Sequence, residues 1–539
     1  MAERENTSGT EGKKRKLRDR RPHTSSQAVI LHRGKRDRLV LLCALAGLLS
    51  GGISTLYRWV LVWTAEWQEK AFELANTPLR IVLLFAGLVA LGILVGWITK
   101  SEPLISGSGI PQVEGQLQGR IHPRWLPVMV KKFVAGGLCI LGGLSLGREG
   151  PSIQLGAMAA QGMAKHTGRS EIESRYLIAS GACAGLAAAF NAPLAGVMFG
   201  LEEVHKNFSK LALLSALMAA IVADLFSKVV FGTVSSLNIG LITLMPFRDY
   251  AIFLVVGVVM GLVGALFNKT LLSTQKLYRK LPVPLWVRMV IPFVFAGAIG
   301  LFSPDILGCG HDVIEKLNMN QYALGAMLLL LVGKFVFSMI SYCSGAPGGI
   351  FFPLLVIGAL TGAVLGKVCV LTLGIEENYV INLMLLGMVG MFAGVVRAPV
   401  TGIILVVEMS GSLTQLAGLT IVAAAATLVA DYLGSEPIYD SLLAAMEQQE
   451  TPEKETNEHH IIELSVPISS PLAGVSVKDV PWPQGCLVIS ILRGSRDKAE
   501  IPRGDTVIQP GDTVCVTCTA DMECTLRSAF ERDFTERLL

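Results

Sequence analysis

Charged residues are scarce in this sequence. They make up 16% of its 539 residues, whereas about a quarter is usual for a soluble domain. Hydrophobic residues make up 52%, and the mean hydropathy is +0.55. Apolar runs of about 20 residues, enough to cross a bilayer, recur along the chain, most clearly at 39–63, 79–98, 251–267 and 322–340. The sequence therefore predicts an all-α polytopic membrane protein and argues against a soluble one.

The sequence also lacks the motifs of an enzyme or an ATP-driven pump. It contains no recognisable catalytic triad, Walker loop or metal cluster, so we expect no enzymatic activity, no cofactor and no metal. The ten cysteines are scattered, mostly inside apolar runs, which argues against a disulfide framework. The one C-x-x-C pair, Cys515 and Cys518, has no second pair, and His311 and the adjacent His459 and His460 lack metal-ligand spacing.

Charge and hydropathy divide the chain into three regions and a linker. We assign a basic cytoplasmic N-terminal tail to residues 1–38, the membrane domain to 39–447, a charged linker to 448–460 and a small cytoplasmic domain to 461–539. The basic residues ahead of the first apolar run place the N-terminus in the cytoplasm. Attraction to anionic lipid explains them without nucleic acid. The first apolar run continues to Trp63, which predicts a retained membrane helix and not a signal peptide.

The small C-terminal domain has the pattern of short strands. These strands are predicted at 461–466, 486–492, 506–508 and 512–517. A turn at Pro510-Gly511 separates the last two. We therefore expect a mostly β or α+β domain.

The membrane region contains an internal repeat. The repeated pairs of segments are 181–203 with 387–409, and 147–151 with 349–353. The first alignment pairs Gly181 with Gly387 and Glu202 with Glu408, and the second shares the spacing G-x-x-x-P. Gly/Pro-interrupted segments in corresponding positions of two halves point to a transport site near the bilayer midplane. We therefore predict a two-fold inverted repeat with broken helices.

Three glycine loops open apolar segments and carry proline where a helix would make its first turn. They are GSGIP at 107–111, GREGP at 147–151 and GGIFFP at 348–353. Proline suits that position because its missing N–H would be unpaired anyway. Helix N-termini present unpaired N–H groups and about half a positive charge, so several that converge would hold an anion without a cationic side chain. The loops therefore predict an anion site weak enough for a permeant ion to leave.

These loops resemble signature segments of the CLC family of chloride channels and proton/chloride antiporters, in its prokaryotic form. The similarity covers roughly residues 39–447 in the family's order and includes SEPIYDSLL at 435–443. The GSGIP and GREGP forms differ from the fluoride-exporting branch. The resemblance implies the CLC fold and a secondary active transporter that exchanges chloride for protons across the cell membrane. A passive chloride channel, gated by voltage or pH, is the alternative, and a membrane-anchored receptor would leave the glycine loops unexplained.

The resemblance also implies a chloride site. It assigns chloride binding to the hydroxyl groups of Ser108 and Tyr439 and to the backbone amides of Ile350 and Phe351. Hydroxyl and amide groups are hydrogen-bond donors that leave no strong positive charge to trap chloride.

Glu149 is the predicted gate and proton carrier. An ionisable side chain in a membrane segment is costly and is a functional candidate by default. Beside an anion site its carboxylate can act as a surrogate anion, and protonation would release it. A structural pair with Arg148 is the alternative, but the repeat partner of Glu149 is Phe351, so packing does not demand a charge there.

Glu203 decides between channel and antiporter. The repeat pairs it with Met409, whereas its neighbour Glu202 has an acidic repeat partner and is expected to play a structural role. The resemblance implies that Glu203 is the inner proton-transfer glutamate found in many proton-coupled members. The alternative is a solvated helix end, because His205 and Lys206 follow. We assign no transport role to the charges at Lys131, Lys132, Arg397 and Glu114, for which interfacial placement or structural pairing is expected.

The last region resembles the TrkA C-terminal module, the C-terminal lobe of regulators of potassium conductance, and not the paired CBS domains of many eukaryotic members. Such lobes are regulatory and often dimeric, and the sequence does not identify the ligand. The resemblance also implies a homodimer with one complete pathway in each subunit.

Overall fold

The computed structural model describes residues 25–206, 208–233, 237, 239 and 242–447, and in the C-terminal region 459–466, 470, 472, 474–483, 485–493, 499–519 and 526. The chain divides into two compact units, Met1–Glu447 and Gln448–Leu539. The first is helical and the second contains a small sheet.

The first half of the helical unit runs from α1 to α8. The helices are α1 (Ser25–Glu73), α2 (Pro78–Ser101), α3 (Ile110–Leu117), α4 (Trp125–Leu141), α5 (Glu149–His166), α6 (Glu171–Phe190), α7 (Pro193–Phe199) and α8 (Lys210–Phe231). A 3₁₀ turn, Pro103–Ile105, precedes α3, and a π-helical turn, Gly200–Val204, follows α7. Such π turns occur frequently at functional sites.

The second half runs from α9 to α17 and is followed by α18. The helices are α9 (Tyr250–Lys280), α10 (Leu285–Arg288), α11 (Val290–Phe302), α12 (His311–Asn318), α13 (Leu324–Cys343), α14 (Phe351–Leu373), α15 (Tyr379–Val396), α16 (Pro399–Ser410), α17 (Leu416–Tyr432) and α18 (Ile438–Glu447). A 3₁₀ turn, Pro304–Ile306, precedes α12, as its counterpart precedes α3.

The two halves confirm the predicted repeat. Helices α3 and α12 each have 8 residues, and each follows a left-handed glycine, Gly109 (φ 93°) or Gly310 (φ 91°). The equivalent residues Gly147 and Gly349 exchange two backbone hydrogen bonds of 2.7 and 2.8 Å in an antiparallel bridge. A two-fold axis between the halves requires such an antiparallel arrangement of equivalent residues.

Glu202 and Glu408 bridge the halves reciprocally. The Glu202 carboxylate accepts hydrogen bonds from the backbone N–H groups of Val400 and Thr401 at the start of α16. The Glu408 carboxylate accepts the equivalent bonds from Leu194 and Ala195 at the start of α7. Each glutamate thus caps the N-terminus of the other half's helix, which confirms the structural role expected for this pair.

Within the described residues, eight helical segments are long and apolar enough to cross a membrane. They are Asp37–Glu73, Pro78–Ser101, Lys210–Phe231, Phe247–Lys280, Leu285–Phe302, Leu324–Cys343, Phe351–Leu373 and Tyr379–Val396. Helices α3 and α7, with 8 and 7 residues, would span only about 12 Å at 1.5 Å per residue. Such broken segments are tolerated at membrane depth where protein buries them, and α3 is buried along its whole length.

Glycine allows the buried helices to pack backbone against backbone. A Cβ on Gly181 of α6 would lie 2.5 Å from the carbonyl oxygen of Gly156 on α5. A Cβ on Gly358 of α14 would lie 2.5 Å from the carbonyl oxygen of Gly387 on α15. The same close approach therefore occurs in both halves, and it explains why the repeated segments need glycine at these positions.

The second unit contains a four-stranded antiparallel sheet in the order β1-β4-β2-β3. Its strands are β1 (His459–Ser465), β2 (Leu487–Leu492), β3 (Ala499–Glu500) and β4 (Thr513–Thr519). The core includes Ile462, Leu464, Ile491, Val514 and Val516, which β1, β2 and β4 contribute. The alternation of these residues along the strands is the period-2 pattern from which the strands were predicted.

Several predicted boundaries differ from the structure. Helix α1 begins at Ser25, inside the predicted tail; residues 1–24 and most of the predicted linker lie outside the described residues. His459 and His460, assigned to the linker, are the first residues of β1 because they pair with β4. The predicted strand at 506–508 is wrong, since only an isolated bridge forms there, between Val507 and Ser476.

Candidate anion and proton site

The three glycine loops meet at one place. Besides the bridge between Gly147 and Gly349, the backbone N–H of Gly348 donates to the carbonyl oxygen of Gly107 at 3.0 Å. A Cβ on Gly150 would lie 2.7 Å from the carbonyl oxygen of Ser108, so only glycine permits the start of α5 to lie against the Ser108 loop. The structure thus brings the N-terminal ends of α3, α5 and α14 together, as the loop motifs predicted.

Ser108 lies between two glycines at the start of α3. Its flanking residues Gly107 and Gly109 both adopt left-handed backbone conformations, with φ of 68° and 93°, which L-residues adopt only at a cost. Its Oγ accepts a hydrogen bond from the N–H of Ile110 at 3.3 Å. The side chain is buried, and the hydroxyl group of Tyr342 on α13 lies beside it.

The buried side chain of Lys132 binds backbone carbonyl groups of the loop that carries Ser108. The Nζ of Lys132 on α4 donates to the carbonyl oxygens of Ile105 at 2.8 Å and Gly107 at 2.6 Å. Lys334 on α13 does the same in the second half, binding the carbonyl oxygens of residues 306–308 at 2.7–3.1 Å. Lys132 is fully buried, so the expected structural pairing is present but interfacial placement is excluded. Its partners are backbone carbonyls of a loop that the chain must bend sharply to form.

Ile350 and Phe351 lie at the start of α14. Residues in the first turn of a helix have N–H groups without an acceptor in the helix itself, so the amides of these two residues are available to an anion. Both side chains are buried. Around Phe351 pack the rings of Phe190, Phe199 and Phe392, with centroids at 4.9–5.7 Å.

Tyr439 approaches the same place from α18. It is fully buried, and within the described part of the chain its hydroxyl oxygen has no hydrogen-bond partner. A buried hydroxyl group normally has a partner. Phe199 packs edge-on against the Tyr439 ring at 6.4 Å. The phenol therefore offers a donor where the sequence predicted an anion ligand.

The Glu149 carboxylate lies at the meeting point of the loops. It faces the backbone N–H groups of Arg148, Glu149 and Phe352 at the starts of α5 and α14. Arg148 is a weak partner, with its Nε 3.9 Å from Glu149 Oε1. The side chain is 1% exposed, and Oε2 has no hydrogen-bond partner among the described residues. A carboxylate surrounded by helix N-terminal N–H groups occupies the kind of position in which such groups bind anions.

Glu203 is buried in the π turn that follows α7. It is 4% exposed and its Oε1 has no hydrogen-bond partner among the described residues. The charges of Lys206, Glu114, Asp440 and Glu202 act on it. The alternative of a solvated helix end is therefore wrong. Tyr439 is close enough to both Glu149 and Glu203 for their charges to act on its phenol.

Three sets of residues in or beside the site carry no signal in the sequence. Tyr342, beside Ser108, belongs to an apolar helix in which a tyrosine carries no distinguishing signal. The phenylalanines around Phe351 look like ordinary core residues in the sequence. Glu114 and Lys206 form an ion pair of 2.7 Å, although 92 residues separate them in the chain.

His311 has closer acidic neighbours than its sequence spacing suggested. Its imidazole nitrogen and carboxylate oxygens of Asp312 and Glu315 all lie within 4.8 Å of one another. Asp312 is exposed, and exposed acidic groups commonly cluster in this way without an ion. We assign no metal to this cluster.

Comparisons with known proteins agree with this geometry. The family model described as "Voltage gated chloride channel" matches residues 91–431. The chain belongs to this family, the CLC proteins. The H(+)/Cl(-) exchange transporter ClcA of Cronobacter sakazakii is 33% identical over 435 residues, which cover 77% of this chain and 92% of that protein. The resemblance stated from the glycine loops is thereby confirmed.

Solved structures of CLC proteins share the fold. A slow cyanobacterial Cl−/H+ antiporter superposes with a TM-score of 0.74 at 28% sequence identity. The superposition covers 77% of this chain and 99% of the antiporter chain. A CLC-type fluoride/proton antiporter gives a TM-score of 0.62 at 25% identity, with 75% and 97% covered. The TrkA-C domain model matches residues 461–530, which confirms the second resemblance. The chain is thus a multi-pass membrane protein of a transporter family, with an appended TrkA-C domain.

Proposed function

We propose that this CLC protein exchanges chloride for protons across the membrane. The observation that carries the proposal is the buried Glu149 carboxylate among helix N-terminal N–H groups, at the point where three glycine loops meet. The position beside these N–H groups can hold either an anion or the carboxylate, but not both at once. The similarity to proteins named as H+/Cl− exchangers supports the same reaction.

The exchange follows from competition for that position. When Glu149 is ionised, its carboxylate occupies the N–H groups as chloride would. When Glu149 takes up a proton, it loses the charge that holds it there, and chloride takes its place beside Ser108, Tyr439 and the amides of Ile350 and Phe351. Chloride binding therefore favours protonation of Glu149, and protonation favours chloride binding to the same extent. The fluxes run in opposite directions because chloride leaves the site when the ionised carboxylate returns to it.

Protons from the cytoplasmic side of the membrane reach Glu149 through Glu203. Both acids are buried, and Tyr439 lies within electrostatic range of each. Passing a proton between buried carboxyl groups costs less free energy than moving a full charge through hydrocarbon. Glu149 and Glu203 then give the exchanger one proton-binding group for each side of the membrane.

A chloride gradient across liposomes tests the proposed function. Purified protein in chloride-loaded vesicles should drive proton uptake as chloride leaves, and the vesicle interior should become acidic without any pH gradient at the start. Chloride efflux without pH change would make the protein a passive chloride channel. A vesicle with neither flux would contradict both functions.

Removal of single donors tests the assigned chloride site. Ser108→Ala and Tyr439→Phe each delete one hydroxyl group, and a hydrogen bond to a charged group contributes about 1.5–3 kcal/mol. We expect chloride affinity to fall by about tenfold or more for each variant, since 1.4 kcal/mol corresponds to a factor of ten. Calorimetric chloride titration of the detergent-solubilised protein measures this. Wild-type affinity in both variants would contradict the assignment, and Ser412→Ala, on an exposed turn, serves as control.

The protein assembles as a homodimer with both termini in the cytoplasm of a prokaryotic cell. Both halves of the proposed site belong to one polypeptide, so each subunit contains a complete pathway and dimerisation is not needed to build it. The basic residues before the first membrane helix support the orientation. The TrkA-C domain follows α18, the helix that carries Tyr439, and its family supports a regulatory role through a ligand that the sequence does not identify.

Removal of residues 448–539 should leave coupled exchange in place. Every proposed transport residue precedes the cut, and the helical unit has its own core. We expect the truncated protein to keep the wild-type ratio of chloride to protons while its rate or its dimer stability changes. Flux measurement and size-exclusion chromatography of the truncated protein check this. A folded truncation without any exchange would show that the second unit belongs to the transport machinery.

A further inference from the structure

Lys206 lies among the acidic groups that surround Glu203. Its Nζ binds the Glu114 carboxylate at 2.7 Å and also the Asp440 carboxylate. The charge of Glu203, three residues earlier, acts on it as well. One ammonium group thus faces three acids from three elements, namely α3, α18 and the π turn.

The two ion pairs of Lys206 are unequal. Asp440 is 43% exposed, and exposed pairs contribute little because water screens them. Glu114 is 1% exposed, and its Oε2 has no partner among the described residues. Gln118 donates a further hydrogen bond of 3.1 Å to Glu114 Oε1, but an amide cannot neutralise a carboxylate. Lys206 is therefore the cation that compensates the buried charge of Glu114.

The backbone at Lys206 is adapted to this contact. The residue has a φ of 50°, in the left-handed region that residues other than glycine rarely adopt. Strained conformations of this kind persist where surrounding interactions hold them, and they concentrate at functional sites. Here the turn ends the segment that carries Glu203 and directs the lysine side chain to Glu114.

Without Lys206, Glu114 would become a second proton-binding group beside Glu203. A buried carboxylate without a cation binds a proton instead of remaining charged. Protons that arrive at this cluster would then be shared between two acids, of which only Glu203 belongs to the proposed route to Glu149. Proton delivery would fall while the chloride site, with none of its ligands altered, would still conduct.

We propose that Lys206 is a positioning residue that determines coupling: by pairing with Glu114 it favours the ionised form of this acid over the protonated form and leaves Glu203 as the group that transfers protons. This inference rests on the proposed exchange of chloride for protons. It assigns Lys206 and Glu114, for which the sequence predicted no transport role, to the control of the ratio between the two fluxes.

The test compares the chloride-to-proton ratio in liposomes for the wild type, Lys206→Gln, Glu114→Gln and the double variant. We expect Lys206→Gln to lose severalfold more proton flux than chloride flux. The double variant should recover the wild-type ratio, because the uncompensated acid is gone, and Glu114→Gln alone should keep it. Lys367→Gln, which breaks the ion pair with Glu377 outside the site, is the matched control.

Three results would overturn the inference. The first is a folded Lys206→Gln variant with the wild-type ratio of chloride to proton flux, and the second is a double variant as uncoupled as Lys206→Gln. The third is loss of coupling in Glu114→Gln, which would make Glu114 a proton carrier itself. A purely structural role of Lys206 would give the first of these results, because both fluxes would then fall in the same proportion. If Lys206→Gln does not fold, the ratios of the double variant and of Glu114→Gln still decide. An uncoupled wild type would instead contradict the proposed function.

Discussion

Chloride should pass through Glu149→Ala while proton transport disappears. The variant lacks the carboxylate that competes with chloride for the N–H groups at the starts of α5 and α14, so the anion position is never closed by the protein. It also lacks the group that carries the proton. A positioned acid–base group contributes roughly 10²-fold or more to proton transfer, so proton flux should fall to the leak of empty vesicles. Simultaneous recording of chloride efflux and internal pH checks this.

The companion variant Glu149→Gln separates charge from shape. Glutamine keeps the size of the side chain and can still contact the N–H groups through its amide oxygen, but it does not titrate. We expect loss of proton flux in both variants, with faster chloride efflux in the alanine variant because no side chain remains in the site. Coupled exchange in Glu149→Gln would show that Glu149 acts by packing, and unchanged exchange in Glu149→Ala would remove it from the mechanism.

The repeat and the glycine loops could be predicted from the sequence because they depend on local backbone chemistry. A left-handed glycine such as Gly109 and a close approach such as that of Gly150 to Ser108 are requirements that only one residue type meets, so they leave a mark in the sequence. Glu202 and Glu408 could be paired by alignment alone, and the structure shows why the pair exists. Periodicity likewise predicted β1, β2 and β4, whose buried residues alternate.

Contacts between distant segments could not be predicted in this way. Lys132 appeared in the sequence as a charge in an apolar run, which fits an interfacial residue as well as a buried one; only the fold shows that its partners are the carbonyls of Ile105 and Gly107. Glu114 and Lys206 carry no shared motif, and the compensation of one by the other follows from burial. The prediction of a strand at 506–508 was wrong because its apolar residues pack without a continuous partner strand. Strand β3 was not predicted because two residues are too few for a periodic pattern.

Glu203→Gln is the variant that distinguishes an exchanger from a channel. The substitution keeps the shape and polarity of a side chain that is 4% exposed, but glutamine cannot release or accept a proton at neutral pH. If Glu203 passes protons towards Glu149, proton flux should fall by roughly 10²-fold or more, while chloride still passes. Chloride should remain gated, because Glu149 can titrate from the opposite side of the membrane.

The adjacent acid provides the control for this substitution. Glu202→Gln removes an equal charge one residue away, but the Glu202 carboxylate caps the N–H groups of Val400 and Thr401, and an amide oxygen can still accept such a bond. Coupled exchange should therefore survive in Glu202→Gln, with lower thermal stability as the expected cost. A channel would carry chloride without proton movement in the wild type and in both variants. Equal coupling in the wild type and Glu203→Gln would exclude Glu203 from the proton route, so only loss of proton flux confined to Glu203→Gln, with chloride flux retained, supports its role.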